Sequence, residues 1–80
     1  MYKVYILQSL KNKRYYIGHT KNLENRLAEH NSGRVRSTKA YVPWLVIYTE
    51  KRETRPEAYQ REREIKNYKS GVQFKGLLGV

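Results

Sequence analysis

Arg26, His30 and Glu62 are the residues whose type and spacing could do chemistry. A separation of four brings Arg26 and His30 to the same edge of a helix. Arginine offers a planar fork of donors that matches phosphate oxygens and stabilises charge developing on them. The plain alternatives are that Arg26 is one solvated charge among 17 basic residues, and His30 a packed histidine beside Leu23 and Leu27. Glu62 shares a helical stripe with Ala58, Ile65 and Lys69, whereas Glu64 points about 200° away. A carboxylate on a buried-side stripe needs a partner, a metal ion or a raised pKa. Arg61, Lys66 and Arg26 are the candidate ion-pair partners, with a metal open beside them.

The elements that must position these residues are legible from the pattern. Residues 2–8 are β-branched and aromatic and predict a strand. Residues 9–13 suit a turn, and 14–19 predict the returning strand of a hairpin. Tyr2, Val4 and Ile6 then share one face, with Tyr5 and Leu7 on the other. Tyr15 and Ile17 oppose Tyr16 and Gly18. A helix is expected over about 22–31, with Asn22 as N-cap and Leu23, Leu27 and His30 on one stripe. Residues 34–43 read as a basic loop, and 44–50 as the strongest strand. Thr54 and Glu57 form a capping box at the start of a second helix, which carries Pro56 in its first turn and reaches about Lys69. The tail is left as a short helix or strand. The order β-β-α-β-α predicts a mixed α+β domain with a small, mainly antiparallel sheet.

Length and charge narrow the partners. Eighty residues allow one domain. Lys+Arg is 17 against Asp+Glu 7, a net charge of +10. A domain this basic faces a polyanion, with nucleic acid ahead of a membrane surface or an acidic protein. No basic amphipathic helix favours a membrane. No apolar run approaches the ~18 residues of a membrane span. The absence of cysteine excludes disulfides and thiolate metal sites. With no leader-like N-terminus either, a cytoplasmic location is the expectation. All seven acids are glutamate. That is a poor supply for a two-metal centre, so any metal site is expected to hold one ion.

The ordered set Val4-Tyr5-Ile6, Tyr16-Ile17-Gly18-His19-Thr20, Asn22-Leu23-Glu24-Asn25-Arg26-Leu27, His30-Asn31-Ser32-Gly33 and Ala58-Tyr59-Gln60-Arg61-Glu62-Arg63-Glu64-Ile65-Lys66 resembles the GIY-YIG nuclease superfamily. It is most similar to small stand-alone bacterial members, which are related to the N-terminal nuclease domain of the excision-repair endonuclease. The resemblance spans residues 2–70. It implies three antiparallel strands flanked by helices, and metal-dependent hydrolysis of DNA phosphodiester bonds. It carries over Tyr5 and Tyr16 from the signature strands, Arg26 and His30 from the first helix, and Glu62 as ligand of one divalent ion, Mg2+ or Mn2+. His19 stands where relatives often place a Lys or His. Two positions depart. Lys3 replaces the first signature glycine. Phe74, beside Gln73, stands where many relatives have a functional Asn.

A catalytic tyrosine must lose or share a proton whose ordinary pKa is about 10. Nearby Arg26, His19 and a metal ion would ease that loss. Tyr16, helped by Tyr5 or His30, is the expected base, or else a tyrosine orients the water. Most of the eight tyrosines must nevertheless be packing residues. In the basic loop, Arg34, Arg36 and Lys39 could grip phosphates, and Tyr41 could stack on a splayed base. So small a domain is expected to select DNA structure, such as nicks, flaps or single strands, rather than a long sequence. RNA stays open as a partner, as does a monomer or a weak dimer, and no small-molecule cofactor is expected. The rival expectation is a nucleic-acid-binding module that keeps the scaffold and cuts poorly. A basic adaptor for a protein would leave Glu62 and the Arg26–His30 pair unexplained.

Overall fold

The strand signals mature into one sheet. The computed structural model describes residues 1–68 and 71–79. Strands β1 (Tyr2–Ser9) and β2 (Tyr15–Thr20) form the hairpin, and β3 (Trp44–Arg52) pairs with the other edge of β1. The order is β2-β1-β3, antiparallel throughout. Helix α1 (Leu23–Asn31) follows the hairpin, α2 (Arg55–Asn67) follows β3, and α3 (Val72–Leu78) comes last. The architecture is the expected α+β one. Lys69, the anticipated end of α2, lies outside the described residues.

Being central, β1 is buried on both faces. Val4 and Ile6 pack with Ala58 and Ile65 of α2 and Phe74 of α3. Tyr5 and Leu7 pack on the opposite face with Trp44, Leu23, Leu27 and Tyr41. The period of two therefore divides the hairpin as its sequence indicates. The undecided tail becomes a helix, and Phe74 is 3% exposed. Burying that ring supplies what the two glycines of the segment withhold.

Both long helices start where their caps place them. Asn22 accepts from the Asn25 amide, and Thr54 with Glu57 completes the capping box. Within the basic loop, residues Lys39–Tyr41 form a single 3-10 turn. Asn31 fastens the end of α1 to β3. Its Nδ2 donates to the Trp44 carbonyl at 3.1 Å, and the Trp44 amide donates to Oδ1 at 2.6 Å.

Candidate functional site

Tyr5 and Gly18 face each other across the hairpin. A Cβ on Gly18 would lie 2.6 Å from the Tyr5 hydroxyl oxygen and 2.8 Å from Cζ, closer than any side chain tolerates. The glycine of the Tyr-Ile-Gly motif therefore makes room for the Tyr5 phenol. Tyr16, on the same face, stacks on Tyr5 with centroids 6.4 Å apart. His30, from the last turn of α1, stands edge-on to Tyr16 at 4.7 Å. Its Nε2 lies 3.3 Å from the Tyr5 hydroxyl and its Nδ1 2.9 Å from Thr38 Oγ1. Thr38 Oγ1 in turn reaches the Val35 carbonyl at 3.4 Å. One assignment of protons serves the whole chain: Tyr5 donates to Nε2, Nδ1–H donates to Thr38, and Thr38 donates to Val35.

Electrostatics sort these groups. Burial pushes His30 down to about 4, and the Arg26 charge adds to the effect, so the imidazole is neutral at physiological pH. Burial pushes the Tyr5 phenol up to about 12. Arg26 pulls it the other way without prevailing, and Tyr16 and Glu62 reinforce the rise. Burial works against the charge of Arg26, yet Tyr5 and Glu29 raise its pKa overall. Its Nη1 donates to Glu29 at 3.3 Å.

Glu62 belongs to the opposite face of the sheet, in register terms. His19 pairs with Val4 and so points toward α2, where its Nδ1 meets Glu62 Oε1 at 2.6 Å. Lys66, one turn further along α2, donates to Oε2 at 2.6 Å. Of the three ion-pair partners weighed for Glu62, only Lys66 is used. Arg61 is held by Glu50 at 2.8 Å and 3.1 Å, and Arg26 by Glu29. The structure thus makes two groups: Tyr5, Tyr16, Arg26 and His30 on one face, and His19 with Glu62 on the other. They adjoin at β2, where Gly18 and His19 are neighbours, and the Glu62 charge is felt at Tyr5.

The signature residues and this arrangement coincide with a known domain. A model of the GIY-YIG catalytic domain matches residues 1–73. This chain belongs to the GIY-YIG family. The GIY-YIG domain marks a family of nucleases, for which nucleic acid is the substrate. The chain is similar to a UPF0213 protein of Staphylococcus haemolyticus, 39% identical over 66 residues, covering 81% of this chain and 79% of the relative. It is 38% identical over 65 residues to a UPF0213 protein of Natronomonas pharaonis, covering 80% and 75%. The solution NMR structure of a UPF0213 protein from Bacillus halodurans superposes with a TM-score of 0.61 at 28% identity, covering 99% of this chain and 84% of that one.

GIY-YIG nucleases generally use a divalent metal. Among the described residues, no group of three or more His, Cys, Asp or Glu could hold one. Glu62, whose Oε1 faces His19, would be the carboxylate to hold one. Oε2 already faces an ammonium, carried on a Lys66 side chain that is 52% exposed and can withdraw. One carboxylate leaves the other positions of a hard cation to water and phosphate oxygens.

The basic loop touches the first group through Thr38, which meets His30. Arg34, Arg36 and Lys39 are exposed. Tyr41 is half-buried, with the Arg14 guanidinium 4.7 Å over its ring and Trp44 edge-on at 6.4 Å. Thr38, within the same loop, is 1% exposed and braces His30. Phe74, at the position of the usual Asn, is a core residue edge-on to Tyr15 at 4.9 Å. No helix of the described residues is long and apolar enough to cross a membrane.

Proposed function

We propose that this chain is a metal-dependent endonuclease that hydrolyses DNA phosphodiesters and selects DNA structure rather than sequence. The observation that carries the reading is the layered phenol pair over Gly18, backed by a neutral His30 and bordered by Arg26. Exposure divides the labour. Tyr5 and His30 are sealed off, at 1% and 0%, while Tyr16 is partly open. Tyr16 is the phenol that meets the attacking water; as the new P–O bond forms it takes the water's proton and passes its own to Tyr5, whose proton moves onto His30 Nε2. Tyr5 stands behind it with its own proton on His30, which leaves its oxygen free to accept from Tyr16 or water. Arg26 steadies the phosphate oxygens as their charge grows, and the P–O bond to the leaving nucleotide breaks. His19 orients Glu62. A divalent ion on Glu62, Mg2+ or Mn2+, would offset phosphate charge and polarise the water.

Nicking of supercoiled plasmid in magnesium or manganese tests the reading. Cleavage is expected from the native chain and not from Glu62→Ala, and Tyr16→Phe should lose about 10²-fold or more. Full cleavage by Tyr16→Phe would sink the base assignment. The second reading, a binding module that cuts poorly, is favoured by Phe74, whose burial removes the usual polar side chain. DNA binding with no nicking under any divalent ion would establish it.

A further inference from the structure

A basic and aromatic surface continues outward from Glu62 along α2, and the proposed hydrolysis uses none of it. Tyr59 lies three residues before Glu62, hence on the same side of the helix. It is 49% exposed and has no place in the core. Tyr2, Tyr48 and Tyr68, by contrast, pack against that core. The Tyr59 ring stands edge-on to His19, centroids 6.1 Å apart, and the Arg63 guanidinium lies 5.8 Å from its centre. His19 also holds Glu62. Tyr59 is thus one side chain removed from the carboxylate. Arg55, one turn earlier, lies 5.8 Å from the Tyr2 ring, and Lys21 sits at the same distance from that ring.

An exposed ring gains little for the fold, but its π-face accepts any base. Flanking cations suit a phosphate backbone. Stacking needs a base that has left its pair, because a duplex buries base faces and shows only edges. We propose that Tyr59 is a stacking platform for an unpaired DNA base next to the phosphodiester at Glu62, with Arg55 and Arg63 holding the adjoining backbone. This deepens the endonuclease reading and rests on it, naming single-stranded or frayed DNA as the preferred substrate.

Binding is measured in EDTA, so that cleavage plays no part, by fluorescence anisotropy. The probes are a single-stranded oligonucleotide, the same strand carrying abasic positions, and the matching duplex. Tyr59→Ala should weaken single-strand binding about tenfold and duplex binding less than about twofold, while Tyr59→Trp retains both. The native chain should lose affinity for the abasic strand, and Tyr59→Ala should lose no more. Equal binding of the single strand by Tyr59→Ala and the native chain would overturn the platform, as would equal losses on strand and duplex. A native chain that binds no DNA at all would overturn the nuclease reading and the platform together. Binding without cutting would leave the platform standing.

Discussion

At the residue scale the site depends on one missing side chain. Gly18 is 3.3 Å or closer, at its would-be Cβ, to both signature tyrosines. Gly18→Ala should push the Tyr5 hydroxyl out of line with His30. A shift on the order of 1 Å can cost about 10²-fold in rate, and overpacking about 1–3 kcal/mol in stability. Plasmid nicking and thermal melting read the two effects, and an unchanged nicking rate would show that the phenol needs no such room. His30 gives a pH signature. Its folded pKa of about 4 lies below the ordinary 6.5. The unfolded chain therefore binds the proton more readily between those values, and stability is lost as pH falls from 6.5 toward 4. Urea midpoints across that window should decline for the native chain and decline less for His30→Gln. Parallel curves would mean that His30 is not the titrating group.

At the element scale, helix α2 sets its acid one turn from its own counter-ion. The Glu62–Lys66 pair is half open to solvent on the lysine side, and such a pair is worth up to about 1 kcal/mol. A cation approaching Oε2 must displace that ammonium. Lys66→Gln should then bind Mn2+ up to about fivefold more tightly, as followed by electron paramagnetic resonance titration. Weaker binding would show instead that Lys66 holds the carboxylate in its useful rotamer. Arg61 cannot stand in for Lys66. It is tied to Glu50, and that bond is the main cause of its raised pKa. The helix thereby separates a structural ion pair at Arg61 from the pair that borders the site.

At the scale of the whole molecule, a charge of +10 predicts that the proposed binding to DNA depends strongly on salt. Arg34, Arg36 and Lys39 are exposed and carry much of the loop's charge. Replacing all three by Gln should flatten the slope of log affinity against log salt by about 0.9 for each duplex phosphate that is no longer neutralised. An unchanged slope would exclude the loop from the footprint. Tyr41 has a weaker claim than those three, because its ring is half-buried against Trp44.

Local rules made much of the molecule readable from its sequence. The alternation in 2–8 and 14–19 sorted the two faces within each strand, and the caps at Asn22 and Thr54 marked two helix starts. These follow from periodicity and from hydrogen bonds within a few residues. The register that puts Tyr16 on the face of Tyr5 came from the paired sheet. Three-dimensional packing decided the rest. It sealed His30 and Tyr5 while leaving Tyr16 partly open, brought His19 to Glu62, and turned Thr38 into a brace and Phe74 into core. Each of these choices pairs groups from different elements or buries one under another. Burial and long-range pairing are properties of the packed chain, and no local spacing encodes them.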